Sequence, residues 1–107
     1  MEGFLKQLQE HTGVVEEIGN RIECGEKYME EVKNYLPLLN QIVMEIFQMK
    51  QESGILTELN MEFVVQVLND ILYGMEHEDA VFLLDVLRYG LMEIYHYIET
   101  ELQSEEA

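Results

Sequence analysis

The sequence predicts an all-α fold: two antiparallel αα-hairpins forming a four-helix bundle or compact helical stack. Three observations predict it. Apolar residues recur at spacings of four and three through four segments, the period of a one-sided helix. Pro occurs once and Gly seven times in 107 residues, too few breakers for an all-β chain of tight turns. The turns between the segments are short, which implies antiparallel neighbours.

In the first helix (about 3–23), Phe4, Leu8, His11, Val15, Ile18 and Ile22 share one stripe. Gly13 and Gly19 weaken it, each by up to ~1 kcal/mol relative to Ala, which leaves one helix over 3–23 as the reading and a break near Thr12-Gly13 as its alternative. Gly25 is the natural stop. The second helix (about 26–50) carries a seam of Met29, Val32, Leu36, Leu39, Val43 and Ile46, with Tyr28, Tyr35, Ile42 and Met49 beside it. Pro37 removes a backbone bond and crowds the Lys33 carbonyl. Either the helix kinks there or a new one begins, and the unbroken seam favours the kink.

Gln51 to Thr57 reads as the main loop, marked by Ser53-Gly54, with Thr57 or Asn60 capping the third helix (about 58–75). Met61, Val64, Val65, Leu68, Ile71, Leu72 and Met75 give that helix a one-sided stripe. Gly74 and Glu76-His77-Glu78-Asp79 form a tight connection to the fourth helix (about 78–102), where Ala80, Leu84, Leu87, Leu91, Ile94 and Ile98 keep four-three spacing. One domain over 1–103 is expected, with residues 104–107 a frayed acidic tail. The Gly25 and Gly74 turns give the two halves the same plan.

Charge bounds the partners. The chain holds 22 acidic and 6 basic residues, a formal −16, and residues 57–107 set only Arg88 against twelve acids. Such a surface repels phosphate backbones and anionic lipids, so neither direct nucleic-acid binding nor a membrane role is expected. The plain reading of the charge is solubility. One cysteine, Cys24, excludes an intrachain disulfide framework, and its acidic neighbours Glu23 and Glu26 disfavour the thiolate. The start of the chain lacks the pattern of a signal peptide, and no apolar run approaches the roughly 20 residues that span a bilayer. A cytoplasmic protein is expected.

Catalytic patterns are weak. Glu93-Ile94-Tyr95-His96 is one E-x-x-H step, whereas a di-iron bundle needs two and a glutamate from each remaining helix. Glu76 to Asp79 lack the spacing of a calcium loop and serve better as acids at a helix start. His11 reads as a satisfied, partly buried histidine. Neither Ser53 nor Ser104 sits in a glycine elbow, and no Gly-rich phosphate loop exists. The sequence therefore predicts no enzyme and no cofactor.

One feature exceeds the needs of a simple bundle. Between Ala80 and Ile98 only Asp85, Arg88 and Glu93 are charged, and between Tyr35 and Met49 only Glu45. Either the last helix is central, or it offers a second apolar face to a partner. The second reading makes Tyr35, Met49, Val86, Tyr89, Met92 and Tyr95, with Arg88 among them, an interaction surface on the second and fourth helices.

Met75 to Leu91, with Glu78, Asp79, Asp85, Leu87, Tyr89 and Leu91 at the matching positions, resembles the C-terminal hairpin of small acidic helical proteins of Gram-positive bacteria. Arg88 and Gly90 depart from that pattern. The resemblance implies the two-hairpin architecture and carries no activity or site. The expected function is a non-enzymatic protein-interaction module, an adaptor or small chaperone, by self-association or with a helical or basic partner. A metal-binding bundle enzyme centred on Glu93 and His96, and an acidic mimic of nucleic acid, are the alternatives.

Overall fold

The computed structural model describes residues 2–106 and is all-helical among them. The helices are α1 (Glu2–Glu23), α2 (Met29–Ser53), α3 (Met61–Glu76), α4 (Ala80–Val86) and α5 (Met92–Glu106). A π-helical turn, Leu87–Leu91, joins α4 to α5 without a break in right-handed backbone. The last three elements therefore make one continuous rod, the fourth of the bundle.

Local chemistry explains the boundaries. Gly25 takes φ 74°, and Glu26 N–H donates to the Arg21 carbonyl at 2.8 Å, a closure that needs the left-handed residue. Thr12-Gly13 does not break α1, which runs through both glycines. α2 begins at Met29, later than the expected 26, and runs on to Ser53 before Gly54 closes it at φ 71°. Pro37 lies inside this single helix. Asn60 caps α3: its Oδ1 accepts from the amides of Glu62 (2.9 Å) and Phe63 (3.4 Å). Asp79 caps α4 in the same way, accepting from Phe82 N–H at 3.0 Å. α5 continues through Ser104 to Glu106, beyond the expected end at 102; Ala107 of the expected tail lies outside the described residues.

The loop before α3 is part of the core. Leu56 and Leu59 are buried, and Leu56 holds φ 60°, a left-handed conformation costing a non-glycine residue about 1–2 kcal/mol. Burial of its side chain offsets that cost. Lys50 Nζ fixes the strained segment by donating to the carbonyls of Leu56 (3.1 Å) and Thr57 (3.0 Å).

The last rod contacts all three other helices. It packs on α1 along its length and on α3 through α4 and the π turn, and Tyr95 reaches α2. The π turn inserts an extra residue into the winding, with Met92 N–H donating to the Leu87 carbonyl, five residues back. That brings Gly90, Leu91 and Met92 into the core together, a set that strict four-three spacing does not predict. Beyond the turn the buried row is Leu91, Tyr95, Ile98 and Leu102.

Candidate functional site

Packing of the last rod corrects the expected interaction surface. Tyr95 is fully buried, Tyr35 is 4% exposed and Met92 is 8% exposed, all inside one chain's core. The rod is covered on the side of these residues and open along Val81, Asp85, Tyr89, Glu93 and His96, so Tyr35, Met92 and Tyr95 belong to the fold and are not free to contact a partner. Met49 and Val86 are half-buried against the same core. Of the expected group only Tyr89, at 72% exposed, stands out in solvent. Arg88, half-exposed, pairs with Glu23 and donates to Asn20 Oδ1 at 3.5 Å, tying the π turn to the end of α1.

Three buried polar side chains form a relay across three helices. His11 Nδ1 on α1 lies 2.6 Å from the Tyr35 hydroxyl on α2, which lies 2.7 Å from the Tyr95 hydroxyl on α5. Satisfaction of hydrogen bonds fixes the direction. If Tyr95 donates to Tyr35 and Tyr35 to His11 Nδ1, each hydroxyl proton has an acceptor. The reverse order leaves the Tyr95 proton without a partner inside the core, a loss of about 1–3 kcal/mol. His11 is therefore neutral and protonated at Nε2. Burial pulls its pKa below the ordinary 6.5, opposed by Glu45 and Glu10. Burial also raises both tyrosines, so neither hydroxyl ionises in the folded chain. These three groups order the core and offer no open position for a substrate.

Glu93 and His96 do not converge. Glu93 lines a cleft with Leu59, Phe63 and Tyr97, toward α3, whereas His96 lines another with Val15, Glu16 and Asn20, toward α1. Both side chains are exposed. Among the described residues no group of three or more His, Cys, Asp or Glu is placed to hold a metal ion. Cys24 is exposed at the α1–α2 turn. His77 stacks on Tyr73 with centroids 4.0 Å apart, finishing α3.

Single exposed apolar residues stand on α2 (Leu38, Met44, Phe47) and on the last rod (Val81, Tyr89), and α3 adds a regular row of them. Met61, Val65, Leu68, Leu72 and Met75 follow one another at spacings of four, three, four and three, making a straight row beside the buried stripe Val64, Val67, Ile71 and Gly74. Val65 is 44% exposed and Leu72 51%, and the other three are half-buried. The close neighbours of α3 are α4 and the π turn, so this helix is packed mainly from one side. The sequence shows these residues as part of a single wide stripe. Which edge of the stripe is covered depends on where the last rod lies, and periodicity does not encode that.

Comparison with protein-family models, with curated proteins and with solved structures finds no match for this chain. Among the described residues no helix is long and apolar enough to cross a membrane.

Proposed function

We propose that this chain is a non-enzymatic protein-interaction module that receives an amphipathic helix, basic on its polar side, along the flank of α3. The observation that carries the reading is the heptad-spaced aliphatic row Met61–Val65–Leu68–Leu72–Met75, with Val65 and Leu72 half-exposed. Rows of this spacing accept the side chains of a facing helix between successive turns. Charge supplies the second half of the argument. Glu58, Glu62, Glu76 and Glu78 are exposed around the two ends of the row, in a half of the chain with one basic residue, so a cationic helix is attracted and an anionic one repelled.

The experiment uses a synthetic leucine–lysine amphipathic peptide and the pair of substitutions Val65→Thr and Leu72→Gln, which leave net charge unchanged. Binding to the parent chain should weaken as salt rises, and the double variant should bind about tenfold less tightly, through lost apolar contact. Equal binding by parent and variant would show that charge alone captures the peptide, and would remove the flank as the site.

A further inference from the structure

We infer that α2 carries a second, separate interface, through which two copies of this chain associate in an antiparallel pair centred on Gln41. From Asn34 to Gln51, about five helical turns, every exposed residue of α2 is uncharged: Asn34, Pro37, Leu38, Asn40, Gln41, Met44, Phe47, Gln48 and Gln51. Glu45 and Lys50, the charged residues of that span, are half-buried, Glu45 next to Phe4 of α1 and Lys50 bonded to the carbonyls of Leu56 and Thr57. A long neutral face is unexpected on a chain of formal charge −16, whose other helices all expose carboxylates.

Charge selects the occupant. A basic partner gains nothing from a neutral face and is drawn to the acids elsewhere. Two copies of an anionic chain repel one another wherever carboxylates meet, and approach at least cost where neither carries any. Depletion of charge with enrichment of Met and aromatic residues is also the compositional mark of an interface centre.

The row pattern supplies the register. Asn34, Pro37, Gln41, Met44, Gln48 and Gln51 recur at three, four, three, four and three, a seam opposite the buried face of Val32, Tyr35, Leu39, Ile42 and Ile46. Two such seams crossing antiparallel at Gln41 set Asn34 against Gln48 and Pro37 against Met44. Amide then meets amide, and apolar meets apolar. Gln41 meets its own copy on the two-fold axis, where a carboxamide both donates and accepts. An isologous contact needs this kind of self-match. Polar residues in the seam hold register while making the association weak and reversible.

The test is a charge swap at Gln41 read by sedimentation equilibrium of the full chain. The parent should be a concentration-dependent dimer that strengthens with added salt, as screening relieves repulsion. Gln41→Glu alone and Gln41→Lys alone should each weaken association by about tenfold or more, because like charges then face each other across the axis. Mixing the two variants should restore the dimer as a heterodimer, and circular dichroism checks that both remain folded. A parent that stays monomeric at high concentration, or single variants that dimerise as well as the parent, would overturn the inference. Neither result touches the α3 reading, whose peptide binding is measured separately and changes with salt in the opposite direction.

Discussion

The Tyr35 hydroxyl lies 2.7 Å from that of Tyr95, and of the two only Tyr35 also hydrogen-bonds to His11, at 2.6 Å, while Tyr95 meets the imidazole edge-on. The two phenols are thus unequal although both are buried. Replacing Tyr35 by Phe strips partners from both the Tyr95 hydroxyl and His11 Nδ1, leaving two buried polar atoms unsatisfied. At about 1–3 kcal/mol each, the loss is ~2–5 kcal/mol. Replacing Tyr95 by Phe removes the end of the relay, and Tyr35 still donates to His11. The loss there is ~1 kcal/mol. Urea unfolding of the two variants should give this order, and equal destabilisation would refute the direction assigned to the relay.

The same relay makes stability depend on pH. A histidine whose folded pKa lies below its unfolded value near 6.5 favours the folded state only while neutral. Its contribution is complete above about pH 6.5 and shrinks as pH falls toward the folded pKa, since the unfolded chain takes the proton first. Glu10 and Glu45 oppose the depression but do not reverse it. His11→Asn keeps an acceptor for Tyr35 and has no proton to gain. The parent should lose stability as pH falls below 6.5, ahead of the range where most carboxylates titrate, and the variant should change much less there. Parallel profiles would mean that His11 is not the titrating group.

Arg88 is a weaker fixture than its isolation in the sequence suggests. Its guanidinium is 37% exposed and its partner Glu23 56%, so solvent screens the pair. Arg88→Met should cost under about 1 kcal/mol, and the cost should fall further in high salt. A large, salt-independent loss would show that the link between the π turn and α1 rests on more than this ion pair.

How much of this was legible in the sequence follows from what periodicity encodes. The four rods, the Gly25 stop and the acid at the start of α4 were readable, because each depends on residues within one or two turns, whereas the cap of α3 stayed open between Thr57 and Asn60 until the structure placed it at Asn60. The spacing around Tyr95 and Met92 left two readings, a central helix or a second outward face. The structure buries Tyr95 and Met92 in the core and leaves Tyr89 outward. That choice was hidden because a helix pattern reports how much of a circumference is apolar and not which neighbour covers it. The π turn was hidden too: strict four-three spacing through Leu87, Leu91 and Ile94 reads as regular α-helix, and the close packing of Gly90 on Val67 is not encoded in it. His11 on its apolar stripe was a visible hint of a buried polar group, but its partners lie 24 and 84 positions along the chain. The outward face of α2 was spelled plainly in its run of Asn, Gln and Met, and acquired meaning once the buried face opposite it was known.

Gly90 and Gly13 should respond to alanine in opposite directions. Gly90 sits in the π turn against α3, where an added Cβ would come within 3.1 Å of Val67 Cγ2 and 3.4 Å of Cγ1. Val67 is buried and β-branched, so its methyls cannot swing aside without an unfavourable rotamer. Overpacking of this kind costs about 1–3 kcal/mol, more than the gain of up to ~1 kcal/mol in helix propensity. Gly13 lies mid-helix in α1 with nothing within 4 Å of its would-be Cβ, so the propensity gain stands alone. Gly13→Ala should therefore raise stability by about 0.5–1 kcal/mol, and Gly90→Ala should lower it. Combining Gly90→Ala with Val67→Ala lets the new methyl occupy room vacated by valine. The double variant should then be more stable than the sum of its parts predicts, a coupling that direct contact requires. Strict additivity, or stabilisation by Gly90→Ala alone, would mean that the π turn does not press against α3 as described.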